Sequence, residues 1–244
     1  MADPNEILWK VHDGLPREAP GSAATTELLL RLAGPLPTQP RIVDIGCGTG
    51  PAAIVLAQQT DGRVTAVDVH EPFLSAVGDR ARAAGVADRI DVLDASMDDL
   101  PVAERSVDLI WAEGSAYIMG FDAALSTWRS LLSASGVMVL TELEWTTPTP
   151  SDGARAFWRT GYPAIRTTAE NVAAVQRAGW DVLATYLLPD SDWDNYYEPL
   201  TRRVAELRRL GVSDDELAPA TEEVDVRAAF GADYGYTGYV LRPR

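Results

Sequence analysis

The run Val43-Asp44-Ile45-Gly46-Cys47-Gly48-Thr49-Gly50-Pro51 carries the clearest chemistry in this sequence. Strand-like residues lead into a glycine-rich turn, and Pro51 falls at a first helical position, where a missing N–H costs nothing. Glycine allows the sharp turn and lets a ligand approach the main chain, while the helix N-terminus offers unpaired N–H groups. The glycines lie at 46, 48 and 50, with Pro51 where a dinucleotide fingerprint would place its third glycine, so the spacing favours a nucleoside without a pyrophosphate. Asp68 follows Gly46 by 22 positions, at the end of a second strand-like run, close to the spacing at which an acid meets ribose hydroxyls.

A glycine turn and a distant carboxylate meet only if strands and helices alternate, and the sequence has that rhythm. Five runs have strand character: Arg41 to Ile45, Arg63 to Val67, Arg89 to Leu93, Val107 to Trp111, and Val137 to Leu143. Ahead of them Ser22 caps an apolar-periodic run through Leu28, Leu29 and Leu32 that Gly34 and Pro35 close. Phe121, Ala124, Leu125, Trp128, Leu131 and Leu132 share a helical face before Gly136. Beyond residue 145 come Pro148, Pro150 and Pro163, a predicted helix from Thr168 to Arg177 and a strand-like run from Trp180 to Leu188. A long helical insertion, roughly Asp192 to Phe230, precedes an aromatic last strand from Tyr234 to Leu241. Strands alternating with helices build a parallel sheet covered on both faces.

The 244 residues are 46% hydrophobic and 23% charged, and no apolar run approaches the ~20 residues of a membrane helix. Twenty-one basic residues against 36 acidic ones leave a charge of −15, which repels a phosphate backbone and argues against nucleic acid as a partner. Met1 to Lys10 has no basic cluster followed by an apolar core, and the sole cysteine, Cys47, has no internal partner, so the expected location is cytoplasmic. No metal-ligand spacing of carboxylates and amides stands out, and no metal is expected.

At these residues the sequence resembles the class I S-adenosylmethionine-dependent methyltransferases, with Val43 to Gly50 matching their first motif. The resemblance implies S-adenosylmethionine as cofactor, with Asp44, Gly46, Cys47, Gly48 and Gly50 around its methionine part and Asp68 with Val69 at the ribose and adenine edge. It further implies an adenine contact from Ser96-Met97-Asp98-Asp99-Leu100-Pro101, where Ser96 replaces the acid that family members often carry. This stretch, with Glu113-Gly114, Tyr117, Pro20-Gly21-Ser22 and Tyr234-Gly235-Tyr236, is similar to a group of bacterial small-molecule methyltransferases. The expected fold is α/β, a Rossmann-like doubly wound sheet of seven strands, mostly parallel with one antiparallel strand, helices on both faces and helical lid insertions. The chain reads as one methyltransferase domain: an entry segment 1–40, a cofactor-binding core 41–145, and the remaining sheet 146–244 with an acceptor lid at about 189–232.

Methyl transfer from a sulfonium needs alignment in a dry pocket more than it needs a base. Glu113, at the end of the fourth strand beside the first, reads as a contact to the cofactor ammonium or as a base, with an exposed strand-end glutamate as the plainer alternative. Tyr117 belongs at the same mouth, orienting an acceptor or forming a wall. Glu142 and Glu144 share one face of the fifth strand and are expected to be solvated. His12 and His70 are the only histidines, His12 a candidate base and His70 a pocket-rim residue. Cys47 fills the turn. Trp145, Trp158, Tyr162, Trp193, Tyr196 and Tyr197 fall outside the alternating core and together predict an aromatic acceptor chamber, with Trp193 and Tyr197 as lining residues. A non-catalytic adenosyl-binding module is the main alternative. A nicotinamide-dependent oxidoreductase is disfavoured because Lys10 is the only lysine and no Tyr-x-x-x-Lys pair exists. The expected partner is a small-molecule methyl acceptor; the sequence does not fix its identity, the atom methylated or the oligomeric state.

Overall fold

The computed structural model describes residues 6–244, so Met1 to Asn5, the start of the entry segment, lie outside the described residues. Strands β1 (Arg41–Ile45), β2 (Arg63–Asp68), β3 (Ile90–Asp94), β4 (Val107–Glu113) and β5 (Leu132–Trp145) run parallel. Further along the chain are β6 (Arg166–Thr167), β7 (Trp180–Leu187) and β8 (Tyr234–Pro243). The sheet order is β3-β2-β1-β4-β5-β8-β7, with β8 antiparallel to both neighbours and the two-residue β6 paired to the end of β5. The seven-stranded sheet with one antiparallel strand is thus as expected, and β6 is a short addition.

Alternation along the strands sorts the core into two layers. Ile42, Leu109, Trp111, Val137 and Val139 pack with Leu29 of helix α2 (Ala23–Leu32), Leu56 of α3 (Pro51–Gln59) and Val77 of α4 (Glu71–Ala83). Val43, Ile45, Ile110, Ala112, Met138 and Leu140 pack on the other face with Leu125 of α5 (Phe121–Thr127) and Val175 of α7 (Thr168–Arg177). Asp44 and Glu113 stand two positions beyond Ile42 and Trp111, so the same alternation brings both acids to the α2 and α3 side at the strand ends, with Asp44 in register with Trp111. Two local signals hold as read, the Ser22 hydroxyl accepting from the Thr25 N–H and Pro51 opening α3, and the structure adds a Thr167–Glu170 capping box on α7.

The predicted insertion is two helices, α8 (Asp190–Arg209) and α9 (Asp214–Phe230), separated at Gly211 and restarted by a Ser213–Glu216 capping box. On α8 the buried Trp193, Tyr196, Tyr197, Leu200, Val204 and Leu207 recur at three- and four-residue spacing. They pack with Val11 of α1 (Glu6–His12), Leu143, Tyr234 and Tyr236 into a third apolar cluster above the sheet. A helix with no counterpart in the sequence reading, α6 (Asp152–Gly161), is capped by Ser151 and buries only Ala154 completely, too little for a periodic signal. The helix expected through Leu132 stops at Thr127 and tightens to a 3₁₀ turn, because Leu132 already belongs to β5. Among the described residues no helix is long and apolar enough to cross a membrane.

Candidate active site

A pocket of about 310 Å³ opens where β1, β2 and β4 end. Asp44, Gly46, Cys47, Gly48, Asp68, Val69, Ser96, Met97, Glu113 and Tyr117, all singled out from the sequence, line it. Gly50 does not: it caps α3 from behind the turn, with φ of 82°, and a side chain there would strike Val77. The turn passes so close to its neighbours that a Cβ on Gly46 would lie 2.5 Å from the Ser115 Cβ, and one on Gly48 would lie 2.9 Å from the Glu18 Cγ. Positive φ at both residues adds backbone strain to any side chain. Asp68 organises this turn, its Oδ2 accepting from the Gly48 N–H at 2.9 Å and its Oδ1 from the Val69 and His70 N–H groups at 2.9 and 3.0 Å. The Ser96 hydroxyl donates to Asp98, which keeps its lone pairs free to accept.

The N-terminal segment covers this pocket and is strapped down by two arginines. Arg80 of α4 donates to the Leu15 and Pro16 carbonyls and to the Thr49 hydroxyl. Arg17 reaches Glu113 at 2.9 Å, with both side chains almost fully buried. The other Glu113 oxygen accepts from Thr26 at 2.6 Å and from the Trp111 indole at 3.0 Å. Glu113 therefore has three donors and anchors the cover to the sheet. Between the straps Glu18 points inward with neither carboxylate oxygen hydrogen-bonded, and burial pushes its carboxyl up to about 8. One oxygen of Asp44 is likewise buried without a partner, and burial followed by the nearby Glu113 holds its pKa well above the usual carboxylate range. Glu18 escaped the sequence reading because it sits in a loop without periodicity and meets the glycine turn only through tertiary packing.

A second cavity of about 750 Å³ adjoins the first. Trp193, Tyr196 and Tyr197 of α8, Glu223 and Phe230 of α9, Phe157 and Trp158 of α6, and Tyr236 of β8 form its walls. Trp193 and Tyr197, the two lining residues expected from sequence, are both present and stacked at 5.8 Å. Trp158, expected in the chamber from the sequence, reaches it from α6, the helix the sequence did not signal. Tyr117 faces Tyr162 edge-on at 5.7 Å, and burial raises its phenol pKa. His12 lines both cavities: its Nδ1 lies 2.9 Å from the Leu8 carbonyl, which only accepts, so Nδ1 carries the proton and Nε2 receives the Tyr196 hydroxyl at 3.1 Å. Burial lowers the His12 pKa, favouring this neutral form.

Three sequence expectations meet a different outcome or location. Glu142 and Glu144 are not solvated but buried, since α7 and β8 cover that face of β5. Glu144 accepts from Thr168, Asn171 and Tyr239, whereas neither oxygen of Glu142 is hydrogen-bonded. His70 packs in an aromatic stack with Trp9 at 4.0 Å rather than lining the pocket. The Cys47 thiol is buried and its pKa raised well above normal by that burial, as suits a turn-filling residue. No group of metal-binding side chains occurs among the described residues.

Residues 42–136 match the family of methyltransferase domains. The chain is 38% identical over 125 residues, 49% of its own length and 46% of the relative's, to 27-O-demethylrifamycin SV methyltransferase of Amycolatopsis mediterranei. It is 36% identical over 162 residues, 61% and 54% of the two chains, to dimethylglycine N-methyltransferase of Parasynechococcus marenigrum. The chain thus spans about half the length of these curated relatives. A methyltransferase from Geobacter sulfurreducens, solved with S-adenosylhomocysteine, superposes with a TM-score of 0.86 at 21% identity over 100% of both chains. The glycine turn, the strand-end acids and these likenesses converge: residues 42–136 match a methyltransferase domain, and the whole chain shares the fold of a methyltransferase solved with S-adenosylhomocysteine.

Proposed function

We propose that the protein transfers a methyl group from S-adenosylmethionine to a small organic acceptor held in the aromatic chamber. One observation carries this reading: Leu8, His12, Glu18, Ala19, Gly114 and Tyr117 line both cavities, so ligands in the two would share a wall. The relatives named for 27-O-demethylrifamycin SV and dimethylglycine act, by those names, on small molecules, and the −15 charge disfavours polyanions. The cytoplasm is the compartment that fits a chain with one buried cysteine. The single sheet supports reading the chain as one domain, with about 189–232 as the acceptor lid.

The donor set fits the cofactor. The partnerless oxygens of Asp44 and Glu18 would take an ammonium, beside the close-packed turn of Gly46, Cys47 and Gly48. Asp68 and Val69 would hold the ribose and adenine edge, with Ser96 and Met97 on the adenine. Bound there, S-adenosylmethionine supplies a methyl group already activated on a sulfonium. The chain's own residues then orient the acceptor and exclude water. Tyr117 stands between the two ligands. Trp193 and Tyr197 wall the acceptor, and where the acceptor carries a proton the Tyr196 hydroxyl takes it while passing its own to Nε2 of neutral His12. Glu113, its carboxylate filled by Arg17, Thr26 and Trp111, is a positioning residue for the cover.

The test is incubation of the purified protein with methyl-labelled S-adenosylmethionine and, in parallel, a metabolite extract, tRNA, DNA and a protein lysate. Label is expected in the small-molecule fraction. Label only in nucleic acid or protein would overturn the acceptor class, and tight S-adenosylhomocysteine binding with no transfer in any arm would favour a non-catalytic binding module.

A further inference from the structure

The acceptor chamber is chemically one-sided. Its walls are aromatic, and the acids Glu18, Glu222 and Glu223 stand in them with no lysine or arginine among the described lining residues. The Arg227 guanidinium stacks on Trp193 at 3.9 Å from outside the lining and spends its donors on Asp190 and the Gly231 and Tyr234 carbonyls. Glu223 sits among the rings. Its Oε1 accepts from the Tyr197 hydroxyl at 3.0 Å, and its Oε2 has no hydrogen bond among the described residues. Burial raises its pKa, the mark of a carboxylate short of compensating charge.

Such a cavity discriminates by charge. An anionic acceptor would meet Glu222 and Glu223 with no lysine or arginine in the described lining, and a neutral one would leave Glu223 without a counter-charge among the rings. A cation gains twice, from the carboxylate and from the negative faces of the aromatic rings. We propose that the acceptor is a small organic amine that enters as its ammonium ion, with its apolar body against Trp193, Tyr197 and Phe230 and its charged nitrogen on Glu223. This rests on the methyltransferase reading above and names the substrate class of that same chamber.

Three ligands with one indole body test it: tryptamine, the corresponding alcohol tryptophol, and indole-3-acetate. Each is titrated by calorimetry at neutral pH into the full chain, with and without S-adenosylhomocysteine. Tryptamine should bind at least about tenfold tighter than tryptophol, and indole-3-acetate more weakly than either. In Glu223→Gln, which can still accept from Tyr197, the amine's advantage should shrink to less than about threefold while S-adenosylhomocysteine affinity is retained. Equal or tighter binding of the alcohol or the acid, an advantage that survives Glu223→Gln, or no binding of any of the three would overturn the proposal. The wild-type comparison decides the matter should the variant fail to fold. Failure of S-adenosylhomocysteine to bind counts against the methyltransferase reading instead, and the three affinities in the ligand-free chain still decide the amine.

Discussion

Glu113→Gln removes one charge from the joint that holds the N-terminal cover on the sheet. Glutamine keeps the size of the side chain and can still accept from Thr26 and Trp111, but it leaves the Arg17 guanidinium buried without a counter-charge. The two side chains are 9% and 8% exposed and 2.9 Å apart, so solvent screens the pair little. Removing one partner of a buried ion pair costs about 3–5 kcal/mol. In a domain of this length each 1 kcal/mol lowers Tm by roughly 2–4 °C, which puts the expected fall at about 6–20 °C. Replacing Arg17 with Met in the same chain removes the stranded charge, so Arg17→Met/Glu113→Gln should recover at least about half of the loss. Urea denaturation followed by circular dichroism measures the stability, and calorimetry with S-adenosylhomocysteine measures the site. Arg17 is followed directly by Glu18 and Ala19, which line both cavities, so affinity should fall in the single variant and return in the double. A single variant within about 0.5 kcal/mol of the wild type, or a double variant no better than the single, would refute the view that this pair holds the cover.

Asp68→Ala should weaken S-adenosylhomocysteine binding by about 1.5–3 kcal/mol, since the carboxylate both orders the Gly48 turn and faces the pocket; unchanged calorimetric affinity would remove it from the site. His12→Gln should lower kcat by about 100-fold or more, with S-adenosylhomocysteine affinity little changed, and full turnover would exclude His12 as the proton acceptor. Because burial lowers the His12 pKa, the acid limb of wild-type kcat should fall below pH ~6.5. Burial pushes the Glu142 carboxyl up to about 8, so between ~4.3 and that value the folded chain keeps a proton the unfolded chain has lost. Its contribution is full below pH ~4.3, falls by up to about 1.4 kcal/mol per pH unit as pH rises, and levels off above the folded value. Glu142→Gln should therefore narrow the stability difference between pH 5 and pH 8.5 in urea denaturation; an unchanged difference would contradict the assignment.

The cofactor side of the molecule was legible because its determinants are local. The glycine turn, Pro51 at the head of α3, the strand alternation that sets Asp44 and Glu113 on one face, and Asp68 at the end of β2 each follow from neighbours a few positions away. The aromatic residues on α8 also announced an apolar wall, as their helical spacing is a local property. What each carboxylate does was not local. Arg17 and Glu113 are 96 positions apart, and Glu144 reads as solvated until Thr168, Asn171 and Tyr239 arrive from α7 and β8. Glu18 and Glu223 carry no pattern at all, one on a loop and the other on a helix with a single fully buried residue, Leu217. Sequence determines which faces are apolar and where backbone can turn, because those depend on side-chain size and φ. Only the closed tertiary structure decides which charges lose their water and which donors replace it, since that depends on segments brought together from the two ends of the chain.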